Sequence, residues 1–319
     1  MSRRKVLFGA LAAVVLLLVP VFVTDDYSLH LFIMTAMFMM LASSQDLIYG
    51  YTGQLHLGQA AFAAIGAYIT AVLMIRFGLS YWLVMPLSGL GTALVAMVLC
   101  IPTLRLRGLY LGLATLGFSE IVRLTLIMWN SVTRGPMGLP GIPAPTLGSF
   151  VFESKISFYY MILAFTVVTV VALQRVVHSR MGKALMAIRD DEIAARAMGV
   201  NSSYYKCTAF ALGSFFAGVA GSFYAVYISF ISPDSFKMMD SFLIFAMPIL
   251  GGMGTLIGPL IGALILYVLP EATRVFAEYR MVWVGLLLMI TMVLQPKGIL
   301  GGVRALTERL RARKSIEAQ

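Results

Sequence analysis

The sequence predicts an all-α polytopic membrane protein of about ten membrane segments, some of them short or re-entrant, with one additional helix on its cytoplasmic side. Of its 319 residues, 60% are hydrophobic and only 12% are charged, and the mean hydropathy is +0.90. Soluble domains carry about 25% charged residues, so this composition favours a lipid environment. The apolar residues form uncharged blocks close to the roughly 20 residues that a membrane-spanning helix needs. These blocks include 6–23, 81–104, 156–173, 207–233 and 281–296.

The basic residues indicate how the chain is oriented. Its net charge is +10, but the 24 lysines and arginines lie between the apolar blocks rather than on a separate module. That distribution is typical of the positive-inside rule, and it leaves no domain to bind nucleic acid. We therefore expect both termini and the basic segment 175–206 to lie in the cytoplasm. Residues 1–302 form the predicted membrane domain, and 303–319 form a basic cytoplasmic tail.

Seven spans follow from the apolar blocks. The first block is interpreted as a retained span rather than a cleaved signal peptide, because it contains Pro20 and no small-residue cleavage site follows it. In the outer segment 130–155, the run Arg134–Pro145 holds three glycines and four prolines, which predicts a stiff loop without a helix. The predicted spans are 6–23, 29–49, 57–75, 81–103, 109–129, 157–174 and 207–231.

A glycine-rich interruption is predicted inside the apolar stretch 242–270. With one crossing here and one at 281–295, the basic tail would lie outside, against the positive-inside rule. The conflict disappears if 242–270 forms two shorter segments that separate at Gly251–Pro259. Non-helical backbone is tolerated at membrane depth where protein or a water-filled cavity covers it.

Catalytic motifs are absent from the sequence. No GxxxxGK[ST] run could cradle ATP phosphates, and no HExxH, GxSxG or CxxC pattern occurs. We therefore predict neither enzymatic activity nor a cofactor or metal site. Cys100 and Cys207 are interpreted as small packing residues. Small residues at every fourth position predict close helix contacts. They are Gly213, Ala217 and Gly221, and Gly254, Gly258 and Gly262.

A short helix outside the membrane is predicted within the run Met181–Val200. Asp190 or Asp191 can cap its start, Glu192 suits its first turn, and Gly199 suits its C-terminal end. So short a helix needs something to pack against. It is either an ordinary solvated loop helix or a helix whose small residues enter a groove on a partner. The residues on its apolar face are Ile193, Ala194, Ala197 and Met198.

At this point the sequence resembles a known family. The run Glu192–Gly199 resembles the EAA-type loop of ABC importer permeases, and the chain as a whole resembles the permease subunits of branched-chain amino-acid importers. The matching segments follow in order over about residues 35–302 and are specific only together. They are Gly53–Phe62, Gly66–Tyr68, Leu104–Tyr110, Ala114–Leu116, Arg134–Leu139, Met181–Val200, Gly251–Thr255, Gly258–Pro259 and Pro296–Gly298.

The resemblance implies a transporter subunit of the bacterial inner membrane that does not itself hydrolyse ATP. The implied partners are a second homologous permease, two cytoplasmic ATPases, an extracytoplasmic binding protein that delivers the substrate, and the lipid bilayer. The short helix would be the coupling helix that enters a cleft of an ATPase, although its loop begins Asp191-Glu192-Ile193-Ala194 rather than Glu-Ala-Ala. The residues assigned to coupling are Arg189, Asp191, Glu192, Ala194, Ala195 and Gly199.

Polar residues in or beside the spans are candidates for a translocation path, because such residues are expensive in lipid and point inward. Neutral side chains suit a zwitterion, which needs hydrogen-bond partners without a strong trap. Glu120 and Arg123 lie three residues apart and are expected to form a structural pair near the outer membrane edge. The candidate path residues are Gln45, Gln54, Gln59, Thr115, Ser119, Gly254 and Thr255.

Two other classes of membrane protein remain open from the residues. A secondary transporter driven by an ion gradient would also use broken helices, but it needs buried acids, and Asp46 and Glu120 are the only candidates. A channel or scaffold would explain the spans but not the coupling-type loop. The resemblance makes amino acids, branched-chain ones first, the expected substrates, while related permeases carry urea or short amides.

Overall fold

The computed structural model describes residues 25–106, 108–148, 150–272 and 298–302, together with positions 20, 282, 285, 286 and 289. Within these ranges the fold is mainly helical. The helices are α1 (Asp26–Ile48), α2 (Gln59–Phe77), α3 (Tyr81–Thr103), α4 (Leu109–Met128), α5 (Asn130–Thr133), α6 (Lys155–His178), α7 (Arg180–Asp190), α8 (Glu192–Ala197), α9 (Ser202–Ile228), α10 (Met238–Gly251) and α11 (Gly258–Ala272). The strands are β1 (Leu139–Pro140), β2 (Thr146–Leu147), β3 (Phe150–Val151) and β4 (Phe230–Ile231).

Six helices of the described chain are long and apolar enough to cross a membrane, namely α1, α2, α3, α4, α6 and α9. They confirm the six spans predicted between residues 29 and 231, with ends displaced by a few residues. Apart from isolated positions, the spans predicted at 6–23 and 281–295 lie outside the described residues, as does the tail 303–319. The total of ten segments therefore stays a prediction.

The core of the bundle forms around α9, which packs against α1, α2 and α3. In the most apolar stretch of 18 residues of each helix, 83% of the residues of α1 and 78% of those of α9 are buried. The corresponding values are 33% for α3 and 28% for α4. The apolar surface of α3 and α4 therefore faces outward. Lipid or another apolar partner has to cover it.

The bundle has two distinguishable ends. The end that carries segment 130–155, called the loop end, also holds the start of α1, because Lys155 pairs with Asp26 at 3.2 Å. The start of α3 lies there as well, since the Trp82 indole donates to the Thr146 carbonyl at 2.8 Å. The opposite end, called the basic end, carries α7 and α8 and the C-terminal end of α1.

The predicted interruption of 242–270 is confirmed, since α10 and α11 form a hairpin with its turn at 252–257. This turn reaches the basic end, where the Gly254 N–H donates to Asp46 near the end of α1. Gly298 packs on the same turn, because a methyl group built on it would lie 2.6 Å from the Cα of Gly252. Residues 298–302 therefore lie at the same end as α7 and α8.

Segment 130–155 contains more regular structure than predicted. A 3₁₀ turn covers Gly135–Met137, β1 pairs with β4, and β2 pairs with β3. Pro136 fits the first turn of a helix, where its missing N–H has no partner to lose. The prediction of a loop without any helical turn is wrong in this respect.

Cys100 and Cys207 form a disulfide, so the interpretation of both as packing residues alone is wrong. Their Cα atoms lie 5.7 Å apart although 107 residues separate them in sequence. The packing of α3 against α9 brings the two residues together. Sequence spacing gives no sign of such a pairing.

Glycine positions on α9 confirm the predicted close helix contacts. A methyl group at Gly221 would lie 1.9 Å from the carbonyl oxygen of Ala63, and one at Gly213 would lie 2.7 Å from the Ile48 side chain. Ala217, between them, is fully buried. The backbone of α9 therefore approaches α1 and α2 more closely than larger residues would allow.

Gly221→Ala and Gly117→Ala form a matched pair that tests this packing. Gly221→Ala is expected to destabilise the protein by about 1–3 kcal/mol, because α9 and α2 must separate to admit the methyl group. Gly117 on α4 has open space around it, so alanine there is expected to be neutral or to stabilise the helix by up to about 1 kcal/mol. Thermal unfolding in detergent measures both effects. Equal midpoints for the two variants would contradict the close contact.

Candidate functional site

Three interruptions of helical structure meet at the basic end. α1 is followed by the non-helical segment Tyr49–Gly58, α10 and α11 are separated by 252–257, and α7 gives way to α8 at Asp191. Main-chain groups in such breaks lack helical partners, so other groups must supply their hydrogen bonds. Side chains of neighbouring helices do so here.

Arg189 at the end of α7 contacts two of these breaks. Its guanidinium donates to the carbonyl oxygen of Gly50 at 2.5 Å. A methyl group at Gly53 would lie 3.1 Å from Cγ of Arg189, and one at Gly254 would lie 2.8 Å from its guanidinium nitrogen. Glycine at these two positions therefore leaves room for the arginine between the end of α1 and the α10–α11 turn.

Asp46 holds the same turn from the interior. Its Oδ1 accepts a hydrogen bond from the Gly254 N–H at 2.9 Å, and its side chain is buried. A methyl group at Gly50 would lie 2.0 Å from this carboxylate oxygen. The guanidinium of Arg189 lies close enough to this buried acid to interact with it electrostatically. Asp46, Gly50, Arg189 and Gly254 thus form one connected cluster, here called the basic-end cluster.

The segment Tyr49–Gly58, here called the re-entrant segment, returns into the protein interior without helical structure. Its His56 is fully buried, and the carbonyl of His56 accepts from Gln45 at 2.6 Å. The N–H of Leu57 donates to the Thr115 hydroxyl at 2.9 Å. Side chains from α1 and α4 therefore satisfy main-chain groups that lipid could not.

The other predicted path residues differ in their hydrogen-bond partners and in their positions. Gln59 donates to the Ser44 hydroxyl at 2.7 Å, and the Thr255 hydroxyl bonds the backbone on both sides of its own turn. Ser119 is buried, and its hydroxyl has no hydrogen-bond partner among the described residues. Gln54 lines a cavity at the basic end. Thr255 lines a different cavity from Gln54, and the assignment of the seven residues to a path stays a prediction.

The short helix α8 begins and ends as its sequence predicts. The Asp191 carboxylate accepts from the N–H groups of Ile193 and Ala194, so Asp191 rather than Asp190 is the capping residue. Gly199 follows the helix with φ of +83°, a left-handed conformation that glycine adopts without strain. The side chain of Glu192 pairs with Lys206 of α9 at 2.8 Å. This ion pair fastens α8 to the bundle.

The apolar face of α8 lies on the protein surface, whereas Ala195 points into the interior. Ile193 is 72% exposed and Met198 is 85% exposed, and Ala194 and Ala197 lie on the surface beside them. Ala195, which was assigned to partner contact, is buried against its own chain. A bulky or charged residue at position 195 would therefore disturb the attachment of α8 itself.

A cavity of about 230 Å³ separates α8 from the re-entrant segment. Its lining includes Gln54 from the segment, Arg189 and Glu192 from the short helices, and Lys206 from α9. The cavity is thus bordered by both signs of charge. It lies next to the contact between Arg189 and Gly50.

Elsewhere the described residues hold the expected structural pair and no group suited to a metal ion. Arg123 contacts Glu120 at 2.7 Å and Asp234 at 3.6 Å, at the loop end, which confirms the predicted pair. In the part of the chain that the structure describes, no three histidine, cysteine or acidic side chains come together as metal ligands.

Together, the long apolar helices, the covered helix breaks and the surface helix tied to them define a polytopic membrane transport subunit. Residues 27–294 match the family model described as the permease component of the branched-chain amino acid transport system. The chain belongs to this family.

Individual relatives agree with this assignment. The high-affinity branched-chain amino acid transport system permease protein LivM of Salmonella typhimurium is 35% identical over 302 residues, which cover 88% of this chain and 71% of the relative. LivM of Escherichia coli is 35% identical over 290 residues, covering 84% of this chain and 68% of the relative. The permease protein LivH of Salmonella typhimurium is 25% identical over 280 residues, covering 82% and 90%. No solved structure matches the chain.

Glu192 makes the attachment of α8 depend on pH. Burial opposes its ionisation, but hydrogen bonds from Lys206 and Ser202 outweigh burial and lower its pKa from 4.5 to about 2. Because the pKa is lower in the folded protein, this contact contributes its full stability above pH 4.5 and loses it as the pH falls toward 2.

Glu192→Gln is therefore expected to lower the thermal midpoint at pH 6 and to differ less from the parent protein at pH 3. Unfolding in detergent at the two pH values measures the difference. Glu153→Gln, at an exposed position of the loop end, is the matched control and should leave the midpoint unchanged at both. A Glu192→Gln difference of the same size at pH 6 and pH 3 would argue against the ion pair.

Proposed function

We propose that this chain is the membrane-spanning permease subunit of an ATP-binding-cassette importer for amino acids, with branched-chain amino acids as the first candidates. One observation supports the proposed mechanism most directly. Arg189, beside the surface helix α8, donates a hydrogen bond to the carbonyl of Gly50 in the helix break that follows α1. The proposal rests further on membership of the permease family and on the substrates that the relatives' names give.

The exposed part of α8 serves as the docking surface for an ATPase subunit. Ile193, Ala194, Ala197 and Met198 present a small apolar patch outside the predicted spans. Two alanines permit close approach, and the methionine can adapt its shape to a cleft. The sequence has no phosphate-binding loop of its own, so nucleotide hydrolysis falls to the partner.

The basic-end cluster passes the movement of α8 into the bundle. A displacement of α7 and α8 by the ATPase moves Arg189, which is bonded to the end of α1 and lies beside the α10–α11 turn. Asp46 connects these two breaks to each other. Helix breaks absorb changes in backbone angles more readily than continuous helices do, so this cluster is suited to open and close a path.

The same assignment orients the protein in the bacterial inner membrane. The basic end and both termini face the cytoplasm, where the two ATPases bind. The loop end faces the opposite side, where an extracytoplasmic binding protein delivers the substrate. A second permease subunit completes the membrane part and covers apolar surface of this chain.

Asp46 and Glu120 do not favour the alternative of a secondary transporter. Asp46 is bonded to Gly254, and Glu120 is bonded to Arg123. Coupling-ion sites need acidic groups that can exchange such partners for an ion. These two carboxylates instead hold elements of the fold together.

Met198→Glu is expected to weaken docking of the ATPase by at least about ten-fold, because a charge would be buried without a partner and each 1.4 kcal/mol changes affinity ten-fold. Co-purification and titration of the ATPase subunits with the membrane-embedded permease measure the change. Abundance should stay normal, since Met198 is 85% exposed.

Met137→Glu is the matched control for this experiment. Met137 is 83% exposed but lies at the loop end, so the same substitution should leave docking intact. Undiminished docking and uptake with Met198→Glu would make α8 a passive connector. The coupling assignment would then be withdrawn.

Arg189→Ala tests transmission separately from docking. We expect the ATPases to bind and to hydrolyse ATP, while uptake falls by about ten-fold, within the range of typical coupling energies. Lys183→Ala removes a positive charge from an exposed position of the same helix and should change neither. Reconstituted transporters provide both readouts. A parallel loss of docking and uptake in Arg189→Ala would contradict the separate role of the arginine.

A further inference from the structure

A second cavity lies at the loop end, away from the basic-end cluster. It has a volume of about 200 Å³ and is bordered by α1, α2, α9, α10 and α11, together with the turn at Pro233–Ser235. No residue of the predicted translocation path lines it. Since five helices contribute its walls, the cavity is a feature of the assembled bundle.

The cavity has two chemically different sides. Met37 and Phe38 of α1 provide buried apolar walls, and Ala60 and Ala63 at the start of α2 provide small ones. Toward the loop end, the lining includes the half-buried side chains of Tyr224, Ser235 and Asp240. The carboxylate of Asp240 accepts a hydrogen bond from the Lys237 N–H at 2.9 Å, which fixes its position at the start of α10.

The volume of the cavity limits its ligands to small organic molecules. An apolar cavity of about 150 Å³ holds a molecule the size of benzene, so this one has room for an aliphatic side chain and its polar group. Such pockets bind through apolar walls, while a few placed polar groups fix the orientation. The apolar walls here suit a hydrocarbon side chain, and the negative charge of Asp240 suits a cationic group near the entrance.

We propose that this loop-end cavity binds a zwitterionic amino acid on its way into the bundle, with the aliphatic side chain between Met37 and Phe38 and the ammonium group toward Asp240. The inference rests on the proposed function and adds a binding site to it. The permease thereby selects for an apolar side chain after the substrate has been released to it.

Protection from thiol labelling tests the site directly. Met37→Cys is introduced into the assembled transporter in spheroplasts and treated from outside with a membrane-impermeant thiol reagent, with the parent chain as the blank. We expect the cysteine to react, and leucine at about ten times its dissociation constant to slow the reaction about ten-fold. Glycine, which lacks a side chain, should protect much less.

The contribution of the charge is measured with a second ligand. The compound 4-methylpentanoate carries the side chain and carboxylate of leucine but no ammonium group, so it should protect Met37→Cys less than leucine does. Adding Asp240→Asn should remove this difference. Asparagine keeps an oxygen that can accept from the Lys237 N–H, so the start of α10 is preserved while the charge is lost.

Leu147→Cys is the control for non-specific effects. Leu147 is 58% exposed on β2 at the loop end and does not line the cavity, so leucine should leave its labelling unchanged. The inference is overturned if Met37→Cys does not react, if leucine fails to protect it, or if Leu147→Cys is protected equally.

A different measurement tests the proposed function. Uptake of leucine by the unsubstituted transporter is followed in the same spheroplasts after addition of the binding protein. Absence of ATP-dependent uptake would count against the importer. Normal uptake combined with unprotected Met37→Cys would count against the cavity alone.

Discussion

Every main-chain group that leaves the helical pattern inside this bundle has to find its hydrogen-bond partner within the protein, because hydrocarbon offers none. The chain meets this requirement with a few polar side chains. Gln45 and Thr115 hold the re-entrant segment, Asp46 holds the α10–α11 turn, and Arg189 holds the end of α1. The positions of the other helices follow from these breaks.

Such breaks make the basic end of the protein different from its middle. α9 contacts its neighbours at backbone distance and leaves little room for rearrangement, as Gly221 against Ala63 illustrates. At the basic end, by contrast, three breaks are joined by single hydrogen bonds through side chains. A tightly packed centre with an adjustable basic end suits a protein that must remain sealed while one region moves.

Local sequence was sufficient to predict the features that depend on neighbouring residues. The long helices follow from runs of apolar residues, the Asp191 cap and the Gly199 end follow from their own side chains, and the break at 252–257 follows from glycines combined with charge distribution. Features made by distant residues were missed. The Cys100–Cys207 disulfide and the re-entrant form of Tyr49–Gly58 depend on helices far apart in sequence.

The same distinction between neighbouring and distant residues applies to the candidate site. Sequence reasoning found the segment that carries α8, yet it could not tell that Ala195 points inward while Ala194 lies on the surface, because a six-residue helix has too few turns to reveal its buried side. It identified Gln45 and Thr115 as inward-facing polar residues but not the backbone groups they bind. An acid within a span, such as Asp46, was the available signal for the basic-end cluster.

The central position of α9 sets an order for biogenesis. α1, α2 and α3 all pack on this helix, which ends at Ile228, 125 residues after α3 ends at Thr103. During synthesis these early helices enter the bilayer without their common partner, and the surfaces that later pack on it have only lipid or each other to contact. Membrane helices form before they associate, so the bundle closes only once residue 228 has left the ribosome. Nascent chains that end before α9 carry the re-entrant segment with Gln45 and Thr115, yet lack the helix on which α1, α2 and α3 pack.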